Sequence, residues 1–393
     1  MGTDADRGEI ARRANSAGLA ALRAGDGPAA VHAFAAATAA DPAAGALWRN
    51  LAHAHRLVGD AASERAALNR ALEIDRTDFV AQLRLAQLLE REGEALAALT
   101  AWSGALQLAE RLPATPPPLT AELAAGRGYV AGLTARLGSA SDRALAPLAD
   151  RLGPTGRRRV SAFVDVALGR RRVFHNECAG VHYPFLPADE FFDEAHFPWF
   201  AALEAGAPAI RAELQGMLGA GDDLLRPYVR LDEGTPANSW SALDGSLDWG
   251  VCFLYEYGVP NRPVLDRCPH TAALLESLPL ARIPGRAPNA FFSLLRPGRR
   301  IPPHTGVTNT RAIVHLALDV PPGCGFRVGG ETREWVEGRA FAFDDTIEHE
   351  AWNDSDRRRA VLIVDTWNPH LAEAEREAIM AYFAASDAEL ERP

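Results

Sequence analysis

The stretch that decides the fold is PHTGVTNTRAIVHLALDV, residues 303–320. Its second half alternates: Arg311, Ile313 and His315 fall on one side, Val314, Leu316 and Leu318 on the other. A period of two with β-branched residues predicts a strand with one core face and one face that carries polar groups. Strand-like runs flank it: WGVCFLYEYG at 249–258, NAFFSLLRPG at 289–298, GRAFAFDD at 338–345 and RAVLIVDTW at 359–367. Many short strands at regular spacing, without long helices between them, predict a sandwich or jelly-roll barrel.

Upstream the character changes. TAALLESLP at 271–279 reads as a short helix, and a longer one is expected from about Phe197 to Leu218. Between them and the N-terminal half lies YPFLPADEFFDEAHFPWF, 183–200, whose prolines and aromatics predict an irregular packed segment. Helical stretches are expected near 119–137 and 140–169, with a break at Gly153-Pro154. PATPPP at 113–118 is a stiff interruption, because proline stops helices and favours extended chain. The arginine triplets 157–159 and 170–172 read as solvated helix faces.

The first third is a repeat. Gly25, Gly59 and Gly93 recur every 34 residues, each followed by an acid: Asp26, Asp60 and Glu94. Small residues stand seven places before each glycine (Gly18, Ala52, Ala86) and twelve after it (Ala37, Ala71, Ala105). Phe34, Leu68 and Trp102 supply a large residue at a fixed place between. Small residues let paired helices approach, the glycine turns the chain, and the large residue fills the next groove. This pattern resembles the tetratricopeptide repeat. The resemblance implies a helical stack whose concave face recruits a peptide, a protein or a carrier-bound substrate, or which serves as a dimerisation or spacer element.

Composition narrows the function. The 393 residues are 48% hydrophobic and 23% charged, the balance of a folded globular chain, and the length predicts two or three domains. A net charge of −10 argues against a nucleic-acid-binding protein. There is no lysine, which excludes a Schiff-base or phosphate-loop lysine. Cys178, Cys252, Cys268 and Cys324 form no C-x-x-C pair, so reduced thiols are expected rather than a zinc site or a disulfide framework. No signal peptide or membrane-spanning run is visible, and a cytoplasmic protein with no integral membrane association is expected.

Three residues carry the chemistry. His304 stands at a strand mouth, His349 lies 45 residues later in FDDTIEHEAWND, and Arg359 follows ten residues after that. Histidine, a gap, histidine and then arginine is the order found in double-stranded β-helix oxygenases. Neutral imidazoles suit Fe(II), and an oxygen-activating site must keep coordination positions open. An arginine suits two-pronged contact with a carboxylate. The histidines His53, His55, His175, His182 and His270 lack partners at ligand spacing, and Trp335, Trp352 and Trp367 read as packing.

Several motifs in order extend the likeness: FSLLRPG at 292–298, PHTGVTNTR at 303–311, His315, FDDTIEHEAWND at 343–354, Arg359 and VDTWNP at 364–369, with FLYEYG and CPHTAALLESLP more weakly upstream. Residues 293–370 thereby resemble the aspartyl/asparaginyl β-hydroxylase family of Fe(II)- and 2-oxoglutarate-dependent dioxygenases. The resemblance implies His304 and His349 as iron ligands. It implies Arg359 and Ser293 on the distal carboxylate of 2-oxoglutarate, and His315 near its chelating end. It implies Arg311 on an anionic group of the substrate, an aspartyl- or asparaginyl-type side chain hydroxylated at its β-carbon with O2. Related oxygenases carry an acid two residues after the first histidine. This chain has Gly306 there, and the family's vacancy is filled by solvent; Asp344, Asp345 and Glu348 are the nearby acids. Ile313 departs from the family, which often has a second inward arginine there. The expected fold class is multidomain α + β. It comprises a repeat domain over 8–112, a helical linker region over 113–174 and a double-stranded β-helix domain with flanking helices over 175–385. The competing reading is a repeat-based interaction scaffold with a non-catalytic oxygenase-like barrel.

Overall fold

The computed structural model describes residues 4–219 and 223–390. The chain forms two units, divided between Gly153 and Pro154. The first begins with three helical hairpins: α1 (Asp4–Arg23) with α2 (Gly27–Ala40), α3 (Gly45–Leu57) with α4 (Ala61–Ile74), and α5 (Phe79–Arg91) with α6 (Ala95–Ala109). Gly25, Gly59 and Gly93 make the three turns at φ near +75°, a backbone region in which a Cβ is strained. Asp26 and Asp60 then cap the second helix of their hairpins, each accepting from a backbone N–H at 3.0 Å; Glu94, one methylene longer, makes no such bond. The ring of Phe34 lies where a side chain on Gly18 would be, 2.6 Å from a Cβ placed there. A seventh helix, α7 (Pro117–Leu145), closes the stack, because Gly126 leaves room for the Trp102 ring. The small and large positions read from the sequence are therefore the hairpin contacts.

The division falls inside the segment expected as a linker region, 113–174. The segment 113–174 is no unit of its own. α7 packs on α6, whereas α8 (Ala149–Ala167) is broken at Gly153, where φ is 62° and ψ 179°. Beyond Pro154 the chain belongs to the second unit. Arg158 reaches Glu331 at 2.6 Å and the Phe191 carbonyl at 2.8 Å, and Arg171 pairs with Glu190. Arg158 and Arg171 thus pin the segment down, while Arg157, Arg159, Arg170 and Arg172 are exposed.

In the second unit α9 (Phe200–Gly219) precedes the strands β1 (Arg226–Pro227), β2 (Trp249–Glu256) and β3 (Val259–Pro260), then the short helices α10 (Arg262–Leu265) and α11 (Pro269–Ser277). The remaining strands are β4 (Ala290–Leu295), β5 (Arg299–His304), β6 (Arg311–Asp319), β7 (Cys324–Val328), β8 (Glu331–Arg333), β9 (Ala340–Phe343), β10 (His349–Asn353) and β11 (Arg359–Trp367), followed by α12 (Glu373–Leu390). They form a larger sheet, β1-β2-β4-β11-β6-β9 with β3 on β2, and a smaller one, β5-β10-β7-β8. All pairs are antiparallel, as in a jelly roll. The alternation of β6 sorts its two faces. Val314, Leu316 and Leu318 join Leu203 and Ile210 of α9 in one core, which covers the back of the larger sheet. Ile313 and Ala317 turn to the other core, where Val251, Phe291 and Val361 of the larger sheet meet Ile301, Phe326 and Ala351 of the smaller. That second core is open at one end, and the opening is the cavity.

Candidate active site

A cavity of about 850 Å³ lies between the two sheets. His304, His349, Ser293, His315, Arg311 and Arg359, the six residues singled out from the sequence, all line it. His304 ends β5 and His349 begins β10, and the two are register partners in the antiparallel ladder. Facing positions in a ladder bring side chains together, and the ring centroids are 4.0 Å apart. Each ring is oriented by a carbonyl two residues back: Pro302 for His304 Nδ1 at 2.8 Å, and Ile347 for His349 Nδ1 at 3.0 Å. A carbonyl only accepts, so Nδ1 carries the proton and Nε2 keeps its lone pair. Burial lowers the pKa of both rings, that of His349 to well below 6.5. They are thus held in the neutral form that binds a metal.

No group of three His, Cys, Asp or Glu side chains at metal-holding geometry occurs among the described residues. The acids near His349 are otherwise engaged. Asp344 accepts from Asn176 and Thr346, and Glu348 accepts from Arg327. Asp345 takes the place left by Gly306: a Cβ there would lie 2.0 Å from its Oδ2. Its backbone carbonyl also accepts from Gly306 N–H at 2.6 Å. Burial pushes Asp345 up to about 7. The glycine at 306 and the acid at 345 are complementary in space, which their 39-residue separation in sequence conceals.

Arg359, the first residue of β11, is 1% exposed and has no carboxylate partner among the described residues. Its Nη1 donates to the Ser293 carbonyl and Oγ, both at 3.3 Å, while Nε is buried without a partner. Burial pushes its pKa down to about 10. Ser293 Oγ also accepts from Trp249 Nε1 at 3.0 Å. His315, buried and kept neutral by that burial, leaves Nδ1 unpartnered. Orphaned buried polar atoms cost free energy, and here they gather around one cation. A carboxylate placed there would answer them.

Arg311 differs from the expectation. It lines the cavity, but its guanidinium is already paired with Asp365, whose side chain is 2% exposed. The wall between these two arginines is apolar: Phe253, Phe291, Ile313 and Ile363. Two tryptophans escaped the sequence reading. Trp249 stacks on Tyr228, and Trp240 stands edge-on to His304 at 5.0 Å. Trp249 shares its strand face with Val251 and Phe253, so alternation on β2 was an available signal. Trp240 sits in an irregular loop, where no periodicity marks it. Trp335, read as packing, lies under Arg359.

A jelly roll with a facing histidine pair and a buried uncompensated arginine defines an oxygenase-type class of site. Residues 204–369 match the family model described as aspartyl/asparaginyl beta-hydroxylase. Ornithine lipid ester-linked acyl 2-hydroxylase of Rhizobium tropici is 36% identical over 196 residues, 49% of this chain and 66% of that protein. Aspartyl/asparaginyl beta-hydroxylase of Mus musculus is 39% identical over 136 residues, 34% of this chain and 18% of that protein. This chain thus spans less than two thirds of either relative. The Arabidopsis OM64 TPR domain aligns with 31% of this chain and 98% of its own at 19% identity, with a TM-score of 0.28. No helix among the described residues is long and apolar enough to cross a membrane.

Proposed function

We propose that this chain is an Fe(II)- and 2-oxoglutarate-dependent dioxygenase that hydroxylates an unactivated C–H bond. The observation that carries the reading is Arg359, a buried cation without an acid, at the inner end of a cavity whose two facing imidazoles keep Nε2 free. In this reading His304 and His349 hold the iron, and Arg359 with Ser293 holds the far carboxylate of the keto acid. His315 offers a neutral ring to the same co-substrate. The bound group supplies the oxidising chemistry, in which O2 and the keto acid give succinate, CO2 and the hydroxylated product. The chain supplies position and dryness. The carbonyls of Pro302 and Ile347 fix the ring tautomers, and Phe326 and Phe343 exclude water from His349. Asp345 fills the flank that Gly306 leaves open. Backbone bonds from Glu177, Ala179 and Gly180 to Thr346, Gly306 and Val307 strap the two ligand-bearing loops together.

For the substrate, an aspartyl- or asparaginyl-type side chain in a peptide, protein or carrier-bound amino acid is the reading that the family name supports. An acyl chain is the second, and a specific observation favours it: Arg311 is already neutralised and the wall beside it is hydrocarbon. The helical unit is read as recruiting the substrate. Succinate release with Fe(II), 2-oxoglutarate and panels of both substrate types tests the proposal. Turnover that survives His304→Ala and His349→Ala would refute it. Purified protein that takes up no iron anaerobically and releases no succinate would leave the scaffold reading.

A further inference from the structure

We infer that Trp335 is a positioning residue for Arg359, holding its charge in place without cancelling it. The inference rests on the reading of Arg359 as the co-substrate's carboxylate anchor. Of the other arginines that line the cavity, Arg311 is engaged by Asp365, Arg226 by Glu256 and Arg286 by Asp387, while Arg230 is exposed to solvent. A carboxylate beside a guanidinium neutralises it for every later ligand. Arg359 has instead an aromatic face. Its Cζ lies 4.9 Å from the centre of the Trp335 ring, and Trp335 is itself buried.

A ring quadrupole attracts a cation while carrying no net charge, and the attraction grows when both partners are desolvated. The ring is in turn fixed. His315 lies nearly parallel to it, 14° off, with centroids 6.0 Å apart, and Phe326 packs against it at 5.4 Å. His315 is neutral, so the stack adds no competing charge. Trp335 Nε1 is unpartnered as well. The open hydrogen-bonding capacity thus surrounds a cation whose only close supports are a serine and a π face. That arrangement selects a carboxylate-bearing ligand and keeps the guanidinium aimed when the ligand leaves.

Glutarate reads this end of the site alone, because it has the distal carboxylate but no keto group to chelate a metal. The full-length protein is melted with and without glutarate, metal-free, and the KM for 2-oxoglutarate is measured separately from kcat on the iron-loaded enzyme. Wild type is expected to be stabilised by glutarate. Trp335→Leu is expected to lose most of that shift and to raise KM about tenfold with kcat within about twofold. Trp335→Phe, which keeps a ring face, is expected to restore most of both. Equal glutarate shifts and equal KM in wild type and Trp335→Leu would overturn the inference and leave the anchor reading standing. No shift in wild type would overturn both. Should Trp335→Leu fail to fold, Trp335→Phe and Trp335→Met decide it: the ring must outperform the thioether in KM.

Discussion

The two ends of the cavity hold the same residue type in opposite electrical states. At the inner end Arg359 is buried with only Ser293 and an aromatic face for support. At the outer end Arg311 is half-buried and paired with Asp365. A paired arginine is a structural brace, because removing either partner strands the other in low dielectric. An unpaired one is a binding group, because its missing partner is the ligand. Residue type alone fails to separate the two roles; the nearest carboxylate does.

The comparison can be broken in order of effect. Replacing His304 or His349, the proposed iron ligands, should abolish succinate formation, a loss of about 10³-fold or more, and reduce iron retained on anaerobic gel filtration. Arg359→Gln should raise the KM for 2-oxoglutarate about a hundredfold, while Asp365→Asn leaves that KM within a few fold. Asp365→Asn should instead cost stability, about 3 kcal/mol in urea titrations, because Arg311 loses its counter-charge. Should Asp365→Asn shift KM as strongly as Arg359→Gln, the division into brace and anchor falls.

Two smaller effects concern the flank between the ends. Gly306→Ala drives a methyl into the Asp345 carboxylate and should destabilise by about 1–3 kcal/mol in urea titrations. Added to Asp345→Ala, the same change should be nearly free, giving a coupling of about 1 kcal/mol or more in the double-mutant cycle. The last effect is a pH slope. Burial raises Asp345 to about 7 and Asp344 to about 6, so between pH 4 and 7 the folded chain binds more protons than the unfolded one. Stability of the metal-free protein should therefore fall as pH rises through that window, by at most about 1.4 kcal/mol per unit for each group. Asp345→Asn should flatten the slope; an unchanged urea-midpoint profile would show that Asp345 does not contribute.

Periodic features were legible in the sequence, and spatial complements were not. The 34-residue recurrence gave the hairpin contacts residue by residue, because each contact repeats at a constant offset. The alternation of 311–319 gave both faces of β6. Four of the six candidate residues, His304, Arg311, His349 and Arg359, stand at strand ends, while Ser293 and His315 reach the cavity from within β4 and β6 by alternation. The charge state of Arg311 was hidden, since Asp365 lies 54 residues away on a neighbouring strand. The fit of Asp345 over Gly306 was hidden for the same reason. Trp335 looked like packing because a lone tryptophan after a short strand carries no periodic signal. The division at Gly153-Pro154 falls inside the segment read as a linker region, where the Pro-rich run at 113–118 is the louder signal. Yet Pro117 and Pro118 sit in the first turn of α7, where proline starts a helix.

One further consequence follows from the ladder that pairs His304 with His349. The histidines are brought together by strand registration, so the connection between them is free to change length. Insertions into the turns after Asp319 or Gly329 should leave the pair facing. A single deletion within 299–304 or 349–353 should not, since a slip of one residue sends the next side chain inward and the histidine to the opposite face. For protein engineering the site is therefore a frame-sensitive element inside a length-tolerant one, and grafts belong in the turns.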